Sequence, residues 1–537
     1  MKCPFLVAAL LVACTTPTST PRPPAPDSVS VAIDAALARA LPDPAGPGCL
    51  AGVAQGDRTI VRVRGLAVIE HGVPIDERTV FDLGSATKQF TAAAVLRLVR
   101  DGKLSLDDEA RRYLPELPAG ITLRHLLHHT SGLRDYGNLF SNIAFVYQET
   151  PVQVGDALAL IHRQRGVNFA PGAAVLYSNT GYLLLAQIVE KVAGQPFATY
   201  LAAQVLAPAG MTGAVVQESY DQVIARRALP YGPVGDVTVM AAANTHALGP
   251  AGVFATFADV VAWYRHVAPG DPLTVPGALA DGTAIAYAGG LVVQTWRGVP
   301  RWSHNGGRGG ARVTLLRFPA HDTTIAVMCN HGAIRPDYLA EEIAGVVLGD
   351  ALAAPAAERA DPDAATHAGL YWSASFDDYL EVVDDHGTLL AGEPGEPSVP
   401  LVPLGGGVFR TATGDPYRFD GEHLTRRDPI GNPEHFERVA PTAPADLTFF
   451  VGTYHSPDIP LTLAIALVDG HLVLRGGAAD PMTAPSIQLE APLRAVAPDA
   501  FVVASYTVRF EGDALLLSAS RLVRLRFDRV PTPARRP

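Results

Sequence analysis

The chain has 537 residues, of which 48% are hydrophobic and 18% are charged, and its formal net charge at pH 7 is −11. This composition is typical of a globular protein with about two to four domains, and it excludes an intrinsically disordered chain. The charge is spread along the chain without a basic block, which argues against a nucleic acid as a partner.

The first residues have the features of an export signal. Lys2 precedes a short apolar stretch, which is too short to span a bilayer. The run Leu11-Val12-Ala13-Cys14 resembles a bacterial lipoprotein box, in which Cys14 would receive the lipid and become the mature N-terminus. We therefore expect a lipoprotein signal at residues 1–14 and an extended Pro/Thr-rich tether at residues 15–27, with the protein anchored at the outer membrane and facing the periplasm. The alternative is a secreted protein with a simple secretory signal.

Strand-like and helix-like segments are mixed along residues 28–350. Apolar and β-branched runs predict strands around residues 49–56 and 323–330. Apolar residues at helical spacing predict helices around residues 88–102 and 180–194. We therefore expect an α+β domain in which helices flank an antiparallel sheet.

The composition changes after this domain, where residues 351–366 are rich in alanine and proline and predict a linker. Beyond it the sequence repeats itself. Gly369-Leu370-Tyr371 matches Gly452-Thr453-Tyr454, and Phe436-Glu437-Arg438-Val439 matches Phe527-Asp528-Arg529-Val530. We therefore predict two related all-β modules, at residues 367–440 and 447–532, each the size of a small closed or nearly closed barrel.

Ser85 and Lys88 are the first candidates for a catalytic role. They follow a predicted turn at Gly84 and lie where a predicted helix begins. Residues three apart share one face of a helix, so the Lys88 amine can reach the Ser85 hydroxyl and take its proton. Lysines occur at only four positions in the chain, and arginine cannot act as a base. Taken alone, the pair has an ordinary helix cap as its alternative interpretation.

Two further motifs follow in the order Tyr177-Ser178-Asn179 and His304-Asn305-Gly306. Together with Ser85 and Lys88, their order and spacing resemble the penicillin-recognising serine hydrolases, which include class C β-lactamases, D-Ala-D-Ala carboxypeptidases, D-aminopeptidases and esterases. The resemblance covers roughly residues 28–350. It implies a β-lactamase/DD-peptidase-like fold and an enzyme that works without metal or organic cofactor.

The resemblance also implies roles for individual residues. Ser85 would be the nucleophile that forms an acyl-enzyme, and either Lys88 or Tyr177 would be the general base. Tyr177 would pass a proton to the leaving group. Asn179 would bind the amide of the substrate. The developing oxyanion would be bound in the segment Gly306-Gly307, by the backbone N–H of Gly307 together with that of Ser85.

His304 departs from the lysine that class C β-lactamases carry at the corresponding position. An unperturbed histidine is mostly neutral at pH 7, so it binds a substrate carboxylate more weakly than a lysine does and is better suited to hydrogen bonding or proton relay in catalysis. Strong β-lactamase activity is therefore in doubt. Arg308 could restore a cation at this place, but an arginine flanked by glycines is usually solvated, and that is the favoured interpretation.

The repeated tail has its own implication, since the three-part organisation resembles D-aminopeptidases. In those enzymes a barrel loop narrows the active site and selects short substrates with a free amine. Our candidate for such a loop is residues 476–490, and the alternative is an exposed hairpin extension.

Cys49 and Cys329 lie in predicted strands. If the first and last strands of the sheet pair antiparallel, a disulfide is geometrically possible, and export would permit it. Two buried free thiols are the alternative.

Two other patterns in the sequence resemble functional motifs. Tyr136-Gly137-Asn138 repeats the Tyr-x-Asn spacing, but no long apolar helix follows it, so we assign it a packing role. His125, His128 and His129 have helical spacing, but no suitably spaced carboxylate or cysteine accompanies them, which disfavours a metal site.

The sequence thus predicts an exported serine hydrolase that acts on a small molecule or short peptide. An amide of a D-amino acid, as in a D-aminopeptidase, is the first expectation for its substrate. An esterase or a weak β-lactamase is the alternative, and a non-catalytic binding or sensor lipoprotein is a third hypothesis.

Overall fold

The computed structural model describes residues 28–140, 152–243, 248–394, 398–411, 414–428, 430–478 and 489–531. Cys14, the predicted tether and residues 479–488 of the predicted barrel loop lie outside these ranges. None of the helices in the described ranges combines the length and the hydropathy needed to cross a bilayer.

The first domain contains a central sheet, short accessory strands and surrounding helices. The strands are β1 (Cys49–Gln55), β2 (Arg58–Arg64), β3 (Leu66–Val68), β4 (Val73–Pro74), β5 (Phe81–Asp82), β6 (Val215–Val216), β7 (Tyr231–Val234), β8 (Val237–Met240), β9 (Val253–Ala255), β10 (Val292–Trp296), β11 (Val299–Arg308), β12 (Ala311–Phe318) and β13 (Thr323–Cys329). The helices are α1 (Ser28–Ala40), α2 (Lys88–Arg100), α3 (Leu123–Leu127), α4 (Tyr136–Asn138), α5 (Val154–Arg163), α6 (Asn179–Ala193), α7 (Phe197–Leu201), α8 (Phe257–His266) and α9 (Pro336–Leu348).

The central sheet has the order β10-β11-β12-β13-β1-β2, and its neighbouring strands are antiparallel. Side chains alternate between the two faces of a strand. In β13, Ile325 and Val327 therefore pack with α1 and α9 on one face, whereas Ala326 and Met328 join the larger core on the other. This confirms the predicted antiparallel sheet with helices on its faces.

The first and last predicted strands of this domain do pair antiparallel. In the register of β1 and β13, Cys49 lies opposite Cys329, and the two residues form a disulfide. Both cysteines are fully buried in the sheet. Of the two alternatives that the sequence left open, the structure therefore contains the disulfide.

The tail forms two β modules of the same topology. The first contains β14 (Gly369–Ser373), β15 (Asp378–Asp385), β16 (Thr388–Gly392), β17 (Val399–Pro400), β18 (Val402–Gly405), β19 (Val408–Arg410), β20 (Pro416–Asp420), β21 (His423–Arg427) and β22 (Pro433–Val439). The second contains β23 (Gly452–His455), β24 (Leu461–Val468), β25 (His471–Ala478), β26 (Leu489–Pro492), β27 (Arg494–Ala497), β28 (Ala500–Val503), β29 (Tyr506–Glu511), β30 (Ala514–Ala519) and β31 (Leu522–Arg529).

Each module is a nearly closed sheet of nine strands. The first has the order β17-β16-β15-β14-β22-β21-β20-β19-β18, and the second has the order β26-β25-β24-β23-β31-β30-β29-β28-β27. The two edge strands of each sheet are consecutive in the chain, separated only by Leu401 in one module and by Leu493 in the other. The chain thus turns a corner where the sheet would close, which confirms the two predicted small barrels.

Both barrels contact the first domain through the turn before their last strand. In the first barrel, Asn432 Oδ1 accepts a hydrogen bond of 2.9 Å from the backbone N–H of Ala286. In the second, the side chain of Asn168 bonds the backbone at Arg521 and at Val523. The repeat therefore places equivalent turns against the first domain, and the second of these turns lies at the candidate site described next.

Candidate active site

Ser85 lies in a short 3-10 turn, Gly84–Thr87, that leads directly into α2. Strand β11 lies very close to this turn. A Cβ atom on Gly306 would be 2.0 Å from the backbone oxygen of Leu83, and one on Gly84 would be 2.8 Å from the backbone nitrogen of Gly307. The close approach therefore requires glycine, and it places the backbone of Gly306 and Gly307 beside Ser85.

The register of the sheet explains why this edge of β11 is free to contact the turn. Strand β10 pairs with β11 only as far as Ser303, where it lies opposite Val292. From His304 to Arg308, β11 has β12 on one side and the Gly84–Thr87 turn on the other. The segment of β11 from His304 to Arg308 therefore lies beside Ser85, with no strand of the described residues paired to it on that side.

Lys88 is completely buried, and its amine contacts three oxygen atoms. Its Nζ is 3.1 Å from Ser85 Oγ, 2.8 Å from Asn179 Oδ1 and 3.0 Å from the carbonyl oxygen of Pro250. Burial, reinforced by the positive charge of Arg521, holds the pKa of Lys88 well below its usual value.

These contacts fit a neutral amine. The amide oxygen of Asn179 and the carbonyl oxygen of Pro250 can only accept hydrogen bonds, so they take the two N–H groups of an uncharged Lys88. The lone pair of the nitrogen is then left for the hydroxyl proton of Ser85. The arrangement can therefore activate Ser85 as a nucleophile.

Tyr177 precedes α6 and turns its hydroxyl into the same site. Its Oη is buried and has no hydrogen bond among the described residues. The nearby Ser85 side chain lowers the pKa of the phenol, but this effect is smaller than that of burial. Burial raises the pKa of Tyr177 well above its usual value. The phenol therefore stays protonated at neutral pH and is available as a proton donor.

The ring of His129 packs against Tyr177, with 4.3 Å between the ring centroids. Nδ1 of His129 accepts a hydrogen bond of 3.1 Å from the backbone N–H of Ser178. Burial, with a smaller effect of the Lys88 charge, holds the pKa of His129 well below its usual value. His129 thus fixes the backbone next to Tyr177 as a neutral ring.

His304 is buried and belongs to a hydrogen-bonded pair with Tyr287. Its Nδ1 is 2.6 Å from the carbonyl oxygen of Asn305, and its Nε2 is 3.0 Å from the Tyr287 hydroxyl. Because the carbonyl only accepts, the proton resides on Nδ1, and Nε2 accepts from Tyr287. Burial, with a smaller effect of Lys88, lowers the pKa of His304 to about 3. His304 is therefore a neutral group and supplies no cation.

Arg308 does not supply the missing cation either. Its guanidinium forms an ion pair of 3.1 Å with Asp82 and donates to Gln217 at 3.0 Å. Arg308 and Asp82 are both less than a tenth exposed in their side chains. Arg308 is therefore neither a free cation for a substrate carboxylate nor the solvated arginine that its flanking glycines favoured, because an acidic partner holds it inside the fold.

The two alternative motifs lie in buried or hydrogen-bonded surroundings in the first domain. Tyr136 is buried in the short helix α4, and the preceding Asp135 accepts hydrogen bonds from the backbone N–H groups of Asn138 and Asn179. His125 closes a capping box with Thr122 at the start of α3, and His128 bonds the carbonyl oxygen of Tyr287. Within the described ranges, no three histidine, cysteine or acidic side chains are grouped so that they could hold a metal ion.

Sequence reasoning missed Arg521, which belongs to the second barrel. Its guanidinium carbon lies 4.5 Å from the centroid of the Tyr177 ring. Most of the predicted barrel loop, residues 476–490, lies outside the described ranges, and that prediction stays untested. The barrel residue found beside Tyr177 lies in the turn between β30 and β31. An arginine in a hairpin turn carries no sequence signal of this role, because the contact depends on how two domains dock.

A profile of the beta-lactamase family matches residues 33–347, which is more than half of the chain. The chain belongs to the beta-lactamase family. The Ser85–Lys88 pair, Tyr177 and His304 all lie within the matched region. The protein is thus a serine hydrolase of the beta-lactamase family, with two barrels added after the family domain.

Curated relatives extend the similarity beyond that domain. The chain is 29% identical to a D-aminopeptidase of Cereibacter sphaeroides over 454 residues, which cover 79% of this chain and 82% of the relative. It is 37% identical to Penicillin-binding protein 4* of Bacillus subtilis over 151 residues and 36% identical to Esterase EstB of Burkholderia gladioli over 201 residues. These matches cover 27% and 34% of this chain, and the chain spans only 33% and 50% of the two relatives.

Solved structures resemble this beta-lactamase family protein in fold. The octameric penicillin-binding protein homologue from Pyrococcus abyssi has a TM-score of 0.52 at 20% identity, and the match covers 75% of this chain and 98% of that one. A D-amino acid amidase from Ochrobactrum anthropi has a TM-score of 0.51 at 21% identity, and the match covers 60% of this chain and 99% of the amidase chain.

Proposed function

We propose that the protein cleaves an amide bond in a small peptide or D-amino acid derivative through an acyl-Ser85 intermediate. The observation that carries this proposal is the buried amine of Lys88, 3.1 Å from Ser85 Oγ and held by two oxygen atoms that only accept. A neutral lysine at this distance is a base for the serine hydroxyl.

In the first step Ser85 Oγ attacks the carbonyl carbon of the substrate and its proton passes to Lys88 Nζ. The carbonyl oxygen takes the negative charge and is bound by the backbone N–H groups of Ser85 and Gly307. One such donor contributes about 3 kcal/mol to transition-state stabilisation. The requirement for glycine at positions 84 and 306 supports this arrangement, because a side chain at either would separate the turn from β11.

In the second step the C–N bond breaks and the leaving nitrogen takes a proton. Tyr177 supports this step, because its buried hydroxyl is protonated and unpaired among the described residues. The proton that Lys88 received restores the phenol. Water then attacks the acyl-enzyme with Lys88 or Tyr177 as base, which releases the acid and returns Ser85 to its hydroxyl form. The raised pKa of Tyr177 favours Lys88 as the base of the first step.

The choice of an amide substrate is supported by the relatives. A curated relative matched over 79% of the chain is a D-aminopeptidase, and that match includes residues beyond the family domain. The neutral His304 argues against strong β-lactamase activity, since the position that carries a lysine in class C β-lactamases holds no cation here.

An ester is the second candidate substrate, because Esterase EstB is 36% identical over 201 residues. An activated ester needs less help with its leaving group than an amide does. A site that lacked effective protonation by Tyr177 would therefore retain ester turnover and lose amide turnover.

The test is a panel of three chromogenic substrates with the full chain and its Ser85→Ala variant. We expect release of p-nitroaniline from D-Ala-p-nitroanilide, slow hydrolysis of nitrocefin, and no turnover of either by Ser85→Ala. Fast hydrolysis of p-nitrophenyl butyrate without any release of p-nitroaniline would contradict the amidase proposal and favour the esterase.

We also propose that the protein works outside the cytoplasm as a lipid-anchored protein. The disulfide between Cys49 and Cys329 supports an oxidising compartment, and the lipoprotein box that ends at Cys14 supports the anchor. Incorporation of radiolabelled palmitate into the wild type and its loss in Cys14→Ser is the expected result. Equal labelling of both proteins, or recovery of both cysteines as free thiols from cells, would contradict it.

A further inference from the structure

Arg521 brings a positive charge from the second barrel to the active site of the first domain. It lies in the turn between β30 and β31, and its guanidinium carbon is 4.5 Å from the centroid of the Tyr177 ring. The residue is half-buried, and its positive charge contributes to lowering the pKa values of Lys88, His129 and Tyr177. Because the guanidinium lies on the ring of Tyr177, the proposed proton donor, it is beside the region where the leaving group of a substrate at Ser85 would lie.

The turn that carries Arg521 is held in place from the first domain. Asn168 Nδ2 donates to the carbonyl oxygen of Arg521 at 3.0 Å, and Asn168 Oδ1 accepts from the N–H of Val523 at 2.9 Å. Leu522 and Val523 are both 1% exposed. One amide side chain thus fixes the backbone on both sides of Leu522, while the neighbouring side chain of Arg521 points to Tyr177.

A second set of contacts joins the same hairpin to the first barrel. Asp377 is a completely buried carboxylate that pairs with Arg509 at 2.8 Å and lies 3.9 Å from Arg524. Ser518 Oγ bonds Asp377 at 3.4 Å and accepts from the backbone N–H of Arg524 at 2.9 Å. The turn is therefore fixed by both neighbouring domains, which is the rigidity that a binding residue needs.

Arg521 differs from the other arginines at this junction in its partners. Arg134 pairs with Asp458, Arg308 pairs with Asp82, and Arg509 pairs with Asp377. In the described part of the chain, no carboxylate lies within ion-pair distance of Arg521, and its contact with the site is the face of the Tyr177 ring. Stacking leaves the N–H groups in the guanidinium plane available to a ligand.

We propose that Arg521 binds a carboxylate on the departing residue of the substrate, so that the enzyme prefers short D-peptides with a free C-terminal carboxylate. This inference rests on the proposed function, in which Tyr177 protonates the leaving nitrogen. The α-carboxylate of the departing residue is two bonds from that nitrogen, and the cation lies on the ring that donates the proton. Amides and amidated peptides lack the carboxylate and are poorer substrates.

Charge and geometry both favour a carboxylate over other ligands. A planar guanidinium offers two parallel N–H donors that match the two oxygens of a carboxylate. An ammonium group would be repelled by Arg521 and by any proton on Lys88. A free amine on the substrate must therefore lie on the acyl side, away from this turn.

The test compares D-Ala-D-Ala with D-Ala-D-Ala-NH2, which share the scissile bond and differ only in the terminal carboxylate. Release of the second residue is followed by chromatography for the wild type, Arg521→Gln and Arg521→Lys. Arg526→Gln is the matched control, because Arg526 is an exposed arginine on β31 that pairs with Asp528. Each dipeptide is also tested for its ability to protect Ser85 from a fluorophosphonate probe. Protection depends on binding of the dipeptide and does not depend on its hydrolysis.

The wild type should prefer the free acid in kcat/KM by about tenfold or more, mostly through KM. Arg521→Gln should lose this preference, Arg521→Lys should retain part of it, and Arg526→Gln should retain all of it. The free acid should also protect Ser85 from the probe better than the amide does, and this difference should be lost in Arg521→Gln, partly kept in Arg521→Lys and fully kept in Arg526→Gln.

Equal losses of activity toward both dipeptides in Arg521→Gln would overturn the proposal and assign Arg521 to tuning the pKa values of Lys88 and Tyr177. No preference of the wild type in either assay would overturn it as well. Failure of the probe to label Ser85 would instead contradict the proposed function itself.

Discussion

Arg134 and Asp458 form an ion pair in the interior of the protein, with 3.0 Å between Nη1 and Oδ2 and both side chains only 4% exposed. Arg134 belongs to the first domain and Asp458 to the second barrel. Arg134 also donates to the carbonyl oxygens of Gly166 and Arg524. The pair therefore joins the barrel to the first domain, and the carbonyl group that Arg134 also binds, that of Arg524, is three residues along the chain from Arg521.

Removing one partner should destabilise this junction strongly. Asp458→Asn leaves the Arg134 charge buried without a counter-ion, which costs about 3–5 kcal/mol in the free energy of unfolding. Urea unfolding of the full chain measures the change. The matched control is Asp528→Asn, which removes an exposed carboxylate from the same barrel and should have little effect. Similar losses in the two variants would show that the junction does not depend on the buried pair.

The contact between Gly306 and the turn of Ser85 predicts a position where one methyl group impairs catalysis. A Cβ atom on Gly306 would be 2.0 Å from the Leu83 oxygen, so Gly306→Ala must push β11 away from the turn. Such a displacement of a reacting group costs about 100-fold in kcat/KM. Gly155→Ala is the control, because a Cβ atom there meets nothing within 4 Å. Activity of Gly306→Ala equal to that of Gly155→Ala would contradict the assignment of β11 to the site.

The disulfide predicts a redox-dependent stability. Cys49 and Cys329 are 280 residues apart and join two adjacent strands of the central sheet. Reduction should lower the free energy of unfolding by about 2–5 kcal/mol. Urea unfolding with and without dithiothreitol measures the effect, and the variant Cys49→Ala/Cys329→Ala should be insensitive to the reductant. A wild type that is equally stable in both conditions would show that the bond does not form in solution.

The lowered pKa of Lys88 predicts how the activity depends on pH. The base must be neutral, so the rate of acylation of Ser85 should increase as the pH rises through the lowered pKa of Lys88. The rate should reach its plateau at a pH well below the usual pKa of a lysine. Arg521 lowers the pKa of Lys88 by charge repulsion. Arg521→Gln should therefore raise that pKa and move the acid side of the profile to higher pH. The rate of fluorophosphonate labelling as a function of pH gives the profile, and a shift to lower pH would contradict the account.

Local features of the site could be predicted from the sequence because they depend on spacing along the chain. Ser85 and Lys88 are three residues apart, and Tyr177 directly precedes a long apolar helix. The duplicated barrels were likewise predictable, since each copy repeats its own aromatic and glycine positions. The structure brings these residues together as the motifs indicated.

Contacts between distant segments could not be predicted in the same way. Arg308 and Asp82 are 226 residues apart, so nothing near Arg308 showed that it would be neutralised. Asn179 was expected to bind the substrate amide, and the structure adds a hydrogen bond from Lys88 that only the folded chain creates. Arg521 is 344 residues from Tyr177 by number and reaches it through the docking of a whole barrel, which residue patterns do not encode.

The proposed mechanism depends on the activation of Ser85 by Lys88. The direct test is mass spectrometry of the full chain after treatment with a fluorophosphonate at neutral pH. The variants Ser85→Ala and Lys88→Ala are treated in the same way. The matched control is Lys103→Ala, which replaces an exposed lysine. We expect one adduct on Ser85 in the wild type and none in Ser85→Ala. Labelling should be slowed by about 1,000-fold or more in Lys88→Ala and should proceed at a normal rate in Lys103→Ala. An unlabelled wild type, an adduct that persists in Ser85→Ala, or equal rates for Lys88→Ala and Lys103→Ala would contradict it.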